Sequence, residues 1–298
     1  MSGLPLISFD YAIKYLLKDK GDYSIVEGFI SAVLKSVGYS EVKIIALLES
    51  EGGKEDSRST RSLADVIVED KNKNKYIIEI ERNVKDSFTH KSCFNTSWLI
   101  VDNLVQREDY TQIVKVFHIS LLYFPIGNGP IYHGKTIIHE VETNERLNVH
   151  ITNQETKEVF NATEILPEYF YISVPLFSDR LEKEIDDWLY VMKHDEVPKK
   201  FHSRYMNQVS EKLNILTMSL EDRANYSYYR KKLCNDRDEL KAAESRDIEK
   251  AIEQGIAKGK SEEKLEIARN LLSANLQISF IANATGLSEA AIKELQKK

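Results

Sequence analysis

Near the N-terminus, apolar residues recur at the three-to-four-residue spacing of amphipathic helices: Phe9, Ile13, Leu16 and Leu17, then Ile25, Val26, Phe29, Ile30, Val33 and Leu34. The spacing predicts two helices, over about Leu6 to Leu17 and Tyr23 to Val37. A short apolar run from Val42 to Leu48 follows, then a polar loop from Glu49 to Ser59 containing Gly52 and Gly53. Ser62 to Glu69 and Lys75 to Arg82 read as two strands joined by the tight polar turn Lys71-Asn-Lys-Asn-Lys75. Helical spacing returns from Phe88 to Val105, and Ile113 to Phe124 is β-branched and aromatic enough for a central strand. This order of elements is that of a compact α/β core over about residues 5 to 125.

From Gly127 to Val174 the pattern is strand-like with an excursion, and Leu181 to Met192 reads as a helix packing back on the sheet. Beyond about residue 195 the composition shifts to Ala-, Glu- and Lys-rich helical sequence without a convincing strand. The expected division is therefore a domain over residues 1–195 and a helical region over 196–298. In that region Ala251, Gly255 and Gly259 are spaced by four and form a ridge of small residues. The last stretch, Leu271 to Leu295, reads as three short helices with turns at about Asn275 and Gly286 and with Ser288 as an N-cap, which resembles a helix-turn-helix. Its last helix sets Glu289 and Glu294 against Lys293, Lys297 and Lys298, a poor charge for reading a DNA groove.

Composition narrows the function classes. With 41 basic and 47 acidic residues the chain carries a formal charge of −6, which excludes coating nucleic acid by bulk positive charge and leaves only a local basic path. At 42% hydrophobic residues it is too apolar for disorder. Cys93 and Cys234 lie far apart with no Cys or His at metal-ligand spacing, so neither a disulfide framework nor a zinc site is expected, and reduced thiols fit a cytoplasmic protein. No apolar run approaches a membrane span, and no Walker-type glycine loop or nucleophilic Ser or Cys motif is present.

The most informative chemistry is the hairpin Ser62-Leu-Ala-Asp65-Val-Ile-Val-Glu-Asp70 and Tyr76-Ile-Ile-Glu79-Ile-Glu81-Arg82. With the turn centred on Asn72 or Lys73, cross-strand partners have numbers summing to about 145, so Asp65 faces Glu79 to Glu81. Carboxylates on such a hairpin are ordinarily a solvated face. Here the carboxylate face also carries Ile67 and Ile77, while Val66, Val68, Ile78 and Ile80 line the other, so both faces look covered by helices. Clustered carboxylates at the edge of a covered sheet repel unless a proton or cation relieves them, and their oxygens suit Mg²⁺.

Asp65, a turn, Glu79-Ile80-Glu81 and a following helix bearing Lys91 resemble the PD-(D/E)XK nuclease signature. The wider chain resembles the Rpn family of recombination-promoting nucleases and transposases: Asp10-Tyr-Ala-Ile-Lys14, Tyr110 to Phe124, Tyr169-Phe-Tyr-Ile172 with Trp188, and Gly255-Ile-Ala-Lys-Gly259 with Thr285-Gly286-Leu287-Ser288 carry the likeness along nearly its whole length. The resemblance implies an αβα restriction-endonuclease-like core with a mixed central sheet plus an all-helical C-terminal region. It implies a Mg²⁺-dependent DNA endonuclease, Mn²⁺ being an alternative ion, associated with recombination, mobile elements or phage defence. Asp65, Glu79 and the backbone carbonyl of Ile80 are the implied metal ligands.

Glu81 stands where relatives carry Lys or Gln. As an anion it can be a third ligand, a base or the acceptor for a second metal, and Lys91 is either the replacement cation or an ordinary solvated lysine. The second reading is a catalytically weakened nuclease fold acting as a DNA-binding or antitoxin-like interaction module. The resemblance also implies that such tails can be made separately from an internal start, here Met206 or Met218, and bind the full chain, so the expected partners are DNA and a second copy or C-terminal fragment of the chain. Among other residues, Glu27 reads as a polar-face Glu before a metal ligand, His90 as surface, Asp10 as capping or lining the first helix, Lys71, Lys73 and Lys75 as solubilising the turn, and Trp98 and Trp188 as core.

Overall fold

A computed structural model describes residues 6–13, 22–48, 65–84, 87–105, 110, 113–152 and 159–296. The loop expected over Glu49 to Ser59, the start of the first hairpin strand and the end of the first helix lie outside the described residues. The elements run α1 (Phe9–Tyr11), α2 (Ser24–Lys35), β1 (Ile44–Leu48), β2 (Val66–Asp70), β3 (Lys75–Glu81), α3 (Phe88–Val105), β4 (Val116–Leu122), β5 (Ile131–Lys135), β6 (His150–Thr152), β7 (Val159–Asn161), β8 (Glu168–Ser173), α4 (Glu184–His194), α5 (Met206–Lys212), α6 (Leu220–Ser273), α7 (Ile278–Thr285) and α8 (Glu289–Gln296). The α/β class and the helical C-terminal region hold, and the Val42 to Leu48 run is an edge strand.

Contacts divide the chain into two units, Met1–Tyr226 and Ser227–Lys298. The first is built on a mixed six-stranded sheet of order β1-β2-β3-β4-β8-β5. β3 and β4 are parallel and joined through α3, β4 and β8 are parallel, and the remaining neighbours are antiparallel. Every residue of β3 and β4 is buried, as expected of central strands covered on both faces. The hairpin register pairs Val66 with Ile78, Ile67 with Ile77 and Val68 with Tyr76, so each pair sums to 144, one below the expected value, and Asp65 is aligned with Glu79.

The side chains of β2 and β3 alternate between two apolar layers. Ile67 and Ile77 pack with Leu99 of α3 and Val116 of β4. The other layer holds α1, α2 and α4, where Phe9, Phe29 and Trp188 form an aromatic triad with centroids 5.2–5.9 Å apart. Residues after α4 pack with this unit too: the Ile7 N–H donates to the Leu213 carbonyl at 2.7 Å, and the Ser8 N–H to the Tyr226 hydroxyl at 3.0 Å. Gly28 of α2 permits this closeness, because a Cβ there would lie 2.5 Å from the Tyr205 ring and 2.8 Å from Trp188. In the second unit, Ala268, Ile281 and Ile292 of α6, α7 and α8 form a small core with Leu271, Leu272 and Leu295. Asn275 and Gly286 take positive φ at the two turns, and the Ser288 hydroxyl accepts from the Ala291 N–H at 3.2 Å, the cap expected from the sequence.

Far from the hairpin carboxylates, the fully buried Glu168 ties β8 to its neighbours. It accepts from Lys115 at 2.8 Å, Tyr39 at 2.7 Å and His133 at 2.7 Å, and Lys135 lies 3.3 Å away. Burial alone would raise its pKa, but the donors outweigh it and hold the carboxyl down at about 2. Burial also depresses the Lys115 ammonium; the net direction follows Glu168, because several donors converge on one carboxylate. The ionised group therefore stabilises the fold above the ordinary carboxyl value of 4.5, and that contribution is lost as pH falls toward about 2. Glu168→Gln is expected to cost about 3 kcal/mol at pH 7. Urea denaturation should show the wild-type advantage shrinking at pH 3; a constant difference would rule out this origin.

Candidate active site

Strand alternation places Glu79 and Glu81 side by side on the face that α3 covers. The first turn of α3 is anchored by Phe88, whose ring packs edge-on against Phe124 at 6.0 Å and Tyr171 at 5.3 Å. That anchor sets Lys91, on the same turn, over the end of β3. Its ammonium donates to Glu79 and, at 2.6 Å, to Glu81 Oε1. Lys91 is thus not an ordinary solvated lysine: it is half-buried and shared by two carboxylates that are themselves buried.

Asp65 completes the group. Its Oδ2 accepts from the Ile80 N–H at 2.7 Å. In a strand, the N–H and C=O of one residue point to the same edge, so the Ile80 carbonyl also lies on the side of β3 from which Asp65 approaches. The sequence-predicted residues Asp65, Glu79, Ile80, Glu81 and Lys91 therefore meet at one end of β3.

Among the described residues, three carboxylates and one ammonium meet here. Burial, first, and the Asp65 charge, second, push the Glu79 carboxyl up to about 7 against the pull of Lys91. Lys91, although burial disfavours its charge, is held above its ordinary value by hydrogen bonds to Glu79 and Glu81. Among the described residues no group of three or more His, Cys, Asp or Glu side chains is disposed to hold a metal. The available donors are two carboxylates, Asp65 and Glu79, and the Ile80 carbonyl. All are hard oxygens, the donor type that a divalent cation of the Mg²⁺ type takes, so the chemistry of this set fits such an ion.

Sequence reading missed the polar side of α3. Asn95, one turn after Lys91, donates from Nδ2 to Glu79 Oε2 at 3.1 Å, so Glu79 is held at both oxygens. Ser92 lies 3.3 Å from Ser120, and Thr96 lies 3.2 Å from His118 Nδ1. Burial, with the charge of Lys91, lowers the His118 pKa to about 3, which keeps the ring neutral. The spacing of Lys91 and Asn95 was the available signal, because residues four apart share a helix face.

Other weighed residues fall elsewhere. Glu27 accepts from the Ile44 N–H at 3.0 Å and from the Tyr205 hydroxyl at 3.3 Å, which makes it a tie between α2, β1 and the segment after α4. Asp10 does not cap α1; it is buried against Arg82, whose Nε donates to it at 2.8 Å and whose guanidinium lies 4.2 Å from the Tyr123 ring centroid. Lys71 and Lys73 are exposed as expected, but Lys75 is buried at the start of β3, so only part of that cluster solubilises the turn. His90 is exposed, Trp188 is core and Trp98 packs beside the Ile67 cluster. Among the described residues no helix is long and apolar enough to cross a membrane.

A comparison with protein families matches residues 7–244 to the model for PD-(D/E)XK nuclease family transposases. Searches of curated proteins and of solved structures return no significant match.

The geometry predicts different outcomes for two substitutions at Asp65. Asp65→Asn keeps an oxygen to accept from Ile80 and removes the charge that repels Glu79, so stability at pH 8 should equal or exceed wild type. Asp65→Ala also removes the acceptor and should be less stable than Asp65→Asn by about 1 kcal/mol. Chemical denaturation of the two variants decides this, and an alanine variant as stable as the asparagine one would contradict it.

Proposed function

The chain belongs to the PD-(D/E)XK nuclease family transposases, and on that footing we propose that it is a divalent-metal-dependent DNA endonuclease that hydrolyses phosphodiester bonds. Divalent metals are typical of the family, and Mg²⁺ is the ion proposed here, with Mn²⁺ as a substitute. The observation that carries the reading is the meeting of Asp65, Glu79 and Glu81 at the end of β3, where the two glutamates share Lys91 and burial, with the Asp65 charge, pushes Glu79 up.

In this reading Asp65, Glu79 and the Ile80 carbonyl hold the metal. A divalent cation supplies Lewis acidity toward a phosphate oxygen and makes water easier to deprotonate. Asn95 fixes the second Glu79 oxygen and so limits that side chain to one orientation. Glu81, oriented by Lys91, takes the proton of the attacking water, and the Lys91 ammonium offsets charge that grows on the phosphate. Lys91 thereby takes the part of the cation that Glu81 displaces from the signature. The helical region beyond residue 195 assembles or restrains the nuclease, through a second copy or a C-terminal fragment of the chain. Recombination, mobile-element transfer or phage defence in the cytoplasm is the proposed setting.

Purified protein is expected to nick supercoiled plasmid with Mg²⁺ and not with EDTA. Asp65→Asn and Glu79→Gln should each slow nicking by at least about 100-fold, the scale of removing one transition-state contact. Wild-type rates in both variants would place the active site elsewhere. A chain that binds plasmid but never nicks it would favour the interaction-module reading.

Glu81 separates two roles. Glu81→Gln keeps the hydrogen bond to Lys91 and loses the base, so it should bind metal normally while its rate falls. An unchanged rate in this variant would remove Glu81 from the chemistry.

A further inference from the structure

Every residue from Ser245 to Lys264 of α6 is exposed, so about five successive helical turns are left uncovered by the described residues. A helix solvated on all sides is marginal in water unless its surface is polar and laced with ion pairs. This one instead carries three large apolar side chains, Ile248, Ile252 and Ile256, which are 61%, 56% and 53% exposed. With Ala251, Gly255 and Gly259 they fall within one stripe of the helix surface. Glycine is among the poorest helix formers. A Cβ at Gly255 or Gly259 would meet no atom within 4 Å, so among the described residues nothing requires either glycine.

The stripe is complementary to itself when reversed. Antiparallel pairing about the Glu253–Gln254 bond sets Ile248 opposite Gly259, Ile252 opposite Gly255 and Ala251 opposite Ile256, a large residue over a small one at each level. In an antiparallel pair each flank faces the same flank of the partner. On one flank Asp247 then meets Lys258, and on the other Glu249 meets Lys260. Further out, Lys241 meets Glu266. In a parallel pair each flank instead faces the opposite flank, so Asp247 would fall near Glu249 of the second copy and Lys258 near Lys260, like charge against like.

We infer that two copies of the chain associate by antiparallel pairing of α6 along the stripe from Ile248 to Gly259. The glycines let the two helices approach closely enough for each isoleucine to seat on the partner's backbone, and the flanking charges choose the direction. This gives surface and orientation to the self-association proposed above, and it is independent of the nuclease chemistry at β3.

Full-length chains carrying Asp247→Lys with Glu249→Lys, or Lys258→Glu with Lys260→Glu, test it by sedimentation velocity. Wild type is expected to sediment as a dimer at micromolar concentration, each variant alone as a monomer, and the equimolar mixture of the two as a dimer again. Cys234 lies two heptads before Ile248 and is exposed, so parallel helices would bring two copies of it together, whereas the antiparallel pair holds them about 58 Å apart. In a Cys93→Ser background, mild oxidation should therefore leave the dimer free of a Cys234 disulfide. A monomeric wild type, variants that still self-associate, a mixture that stays monomeric, or Cys234 cross-linking would each overturn the pairing. Plasmid nicking by wild type, read in parallel, tells a failure of this pairing from a failure of the nuclease reading.

Discussion

One ammonium group serves a surplus of carboxylates at the end of a buried strand, and much of the nuclease-like unit is arranged around that imbalance. Glu79 and Glu81 must sit on the same face because the strand repeats every two residues, and both are buried because helices cover the sheet. Lys91 can reach them only from α3, and α3 is held in place by Phe88 wedged against Phe124 and Tyr171. Asp65 enters from the neighbouring strand and adds a third negative charge while bonding the backbone of Ile80. The result is a site in which burial, and next the Asp65 charge, drive Glu79 toward neutrality against the pull of Lys91.

The sheet supports this arrangement through two different kinds of interior. On the side of α1, α2 and α4 it is apolar and tightly packed, with Phe9, Phe29 and Trp188 in mutual contact and Gly28 allowing Tyr205 to close over them. On the side of α3 it is polar near the site, where Ser92, Asn95 and Thr96 are buried while Phe94 of the same helix is 49% exposed. That inversion exchanges hydrophobic burial for hydrogen bonds to Glu79, Ser120 and His118, which fix side chains near the site in defined orientations. Glu168 does a related task at the other end of the sheet, but there the donors exceed the acceptor and the carboxylate is held ionised. Whether a buried carboxylate is locked or left reactive thus depends on the ratio of donors to acceptors around it.

The second unit obeys a different rule. Ala268, Ile281 and Ile292 form a core at its end that is complete within one chain, with turn residues and a cap that close it locally. Among the described residues the preceding turns of α6 have no such cover, and in the proposed pairing their isoleucines and glycines match a reversed copy. The proposed pairing between chains thus uses a stretch of the helix next to the one that folds within the chain.

Much of the fold was legible without coordinates. The period of apolar positions located α2, the hairpin, α3 and β4, since a face that must be buried imposes its spacing on the sequence. The same alternation put Glu79 and Glu81 together and aligned Asp65 with them to within one residue of register. Turn chemistry marked Asn275, Gly286 and Ser288, because positive φ and capping are properties of single residues. What only the tertiary structure decided were contacts between residues with no periodic relation. That Lys91 bridges the two glutamates, that Asn95 holds Glu79 from a helix whose polar side faces inward, that Asp10 pairs with Arg82 and that Glu27 ties α2 to β1 all depend on how elements dock. A lone charged or polar residue looks the same in sequence whether it faces water or a buried partner; docking determines its dielectric surroundings and its neighbours, and with them its role.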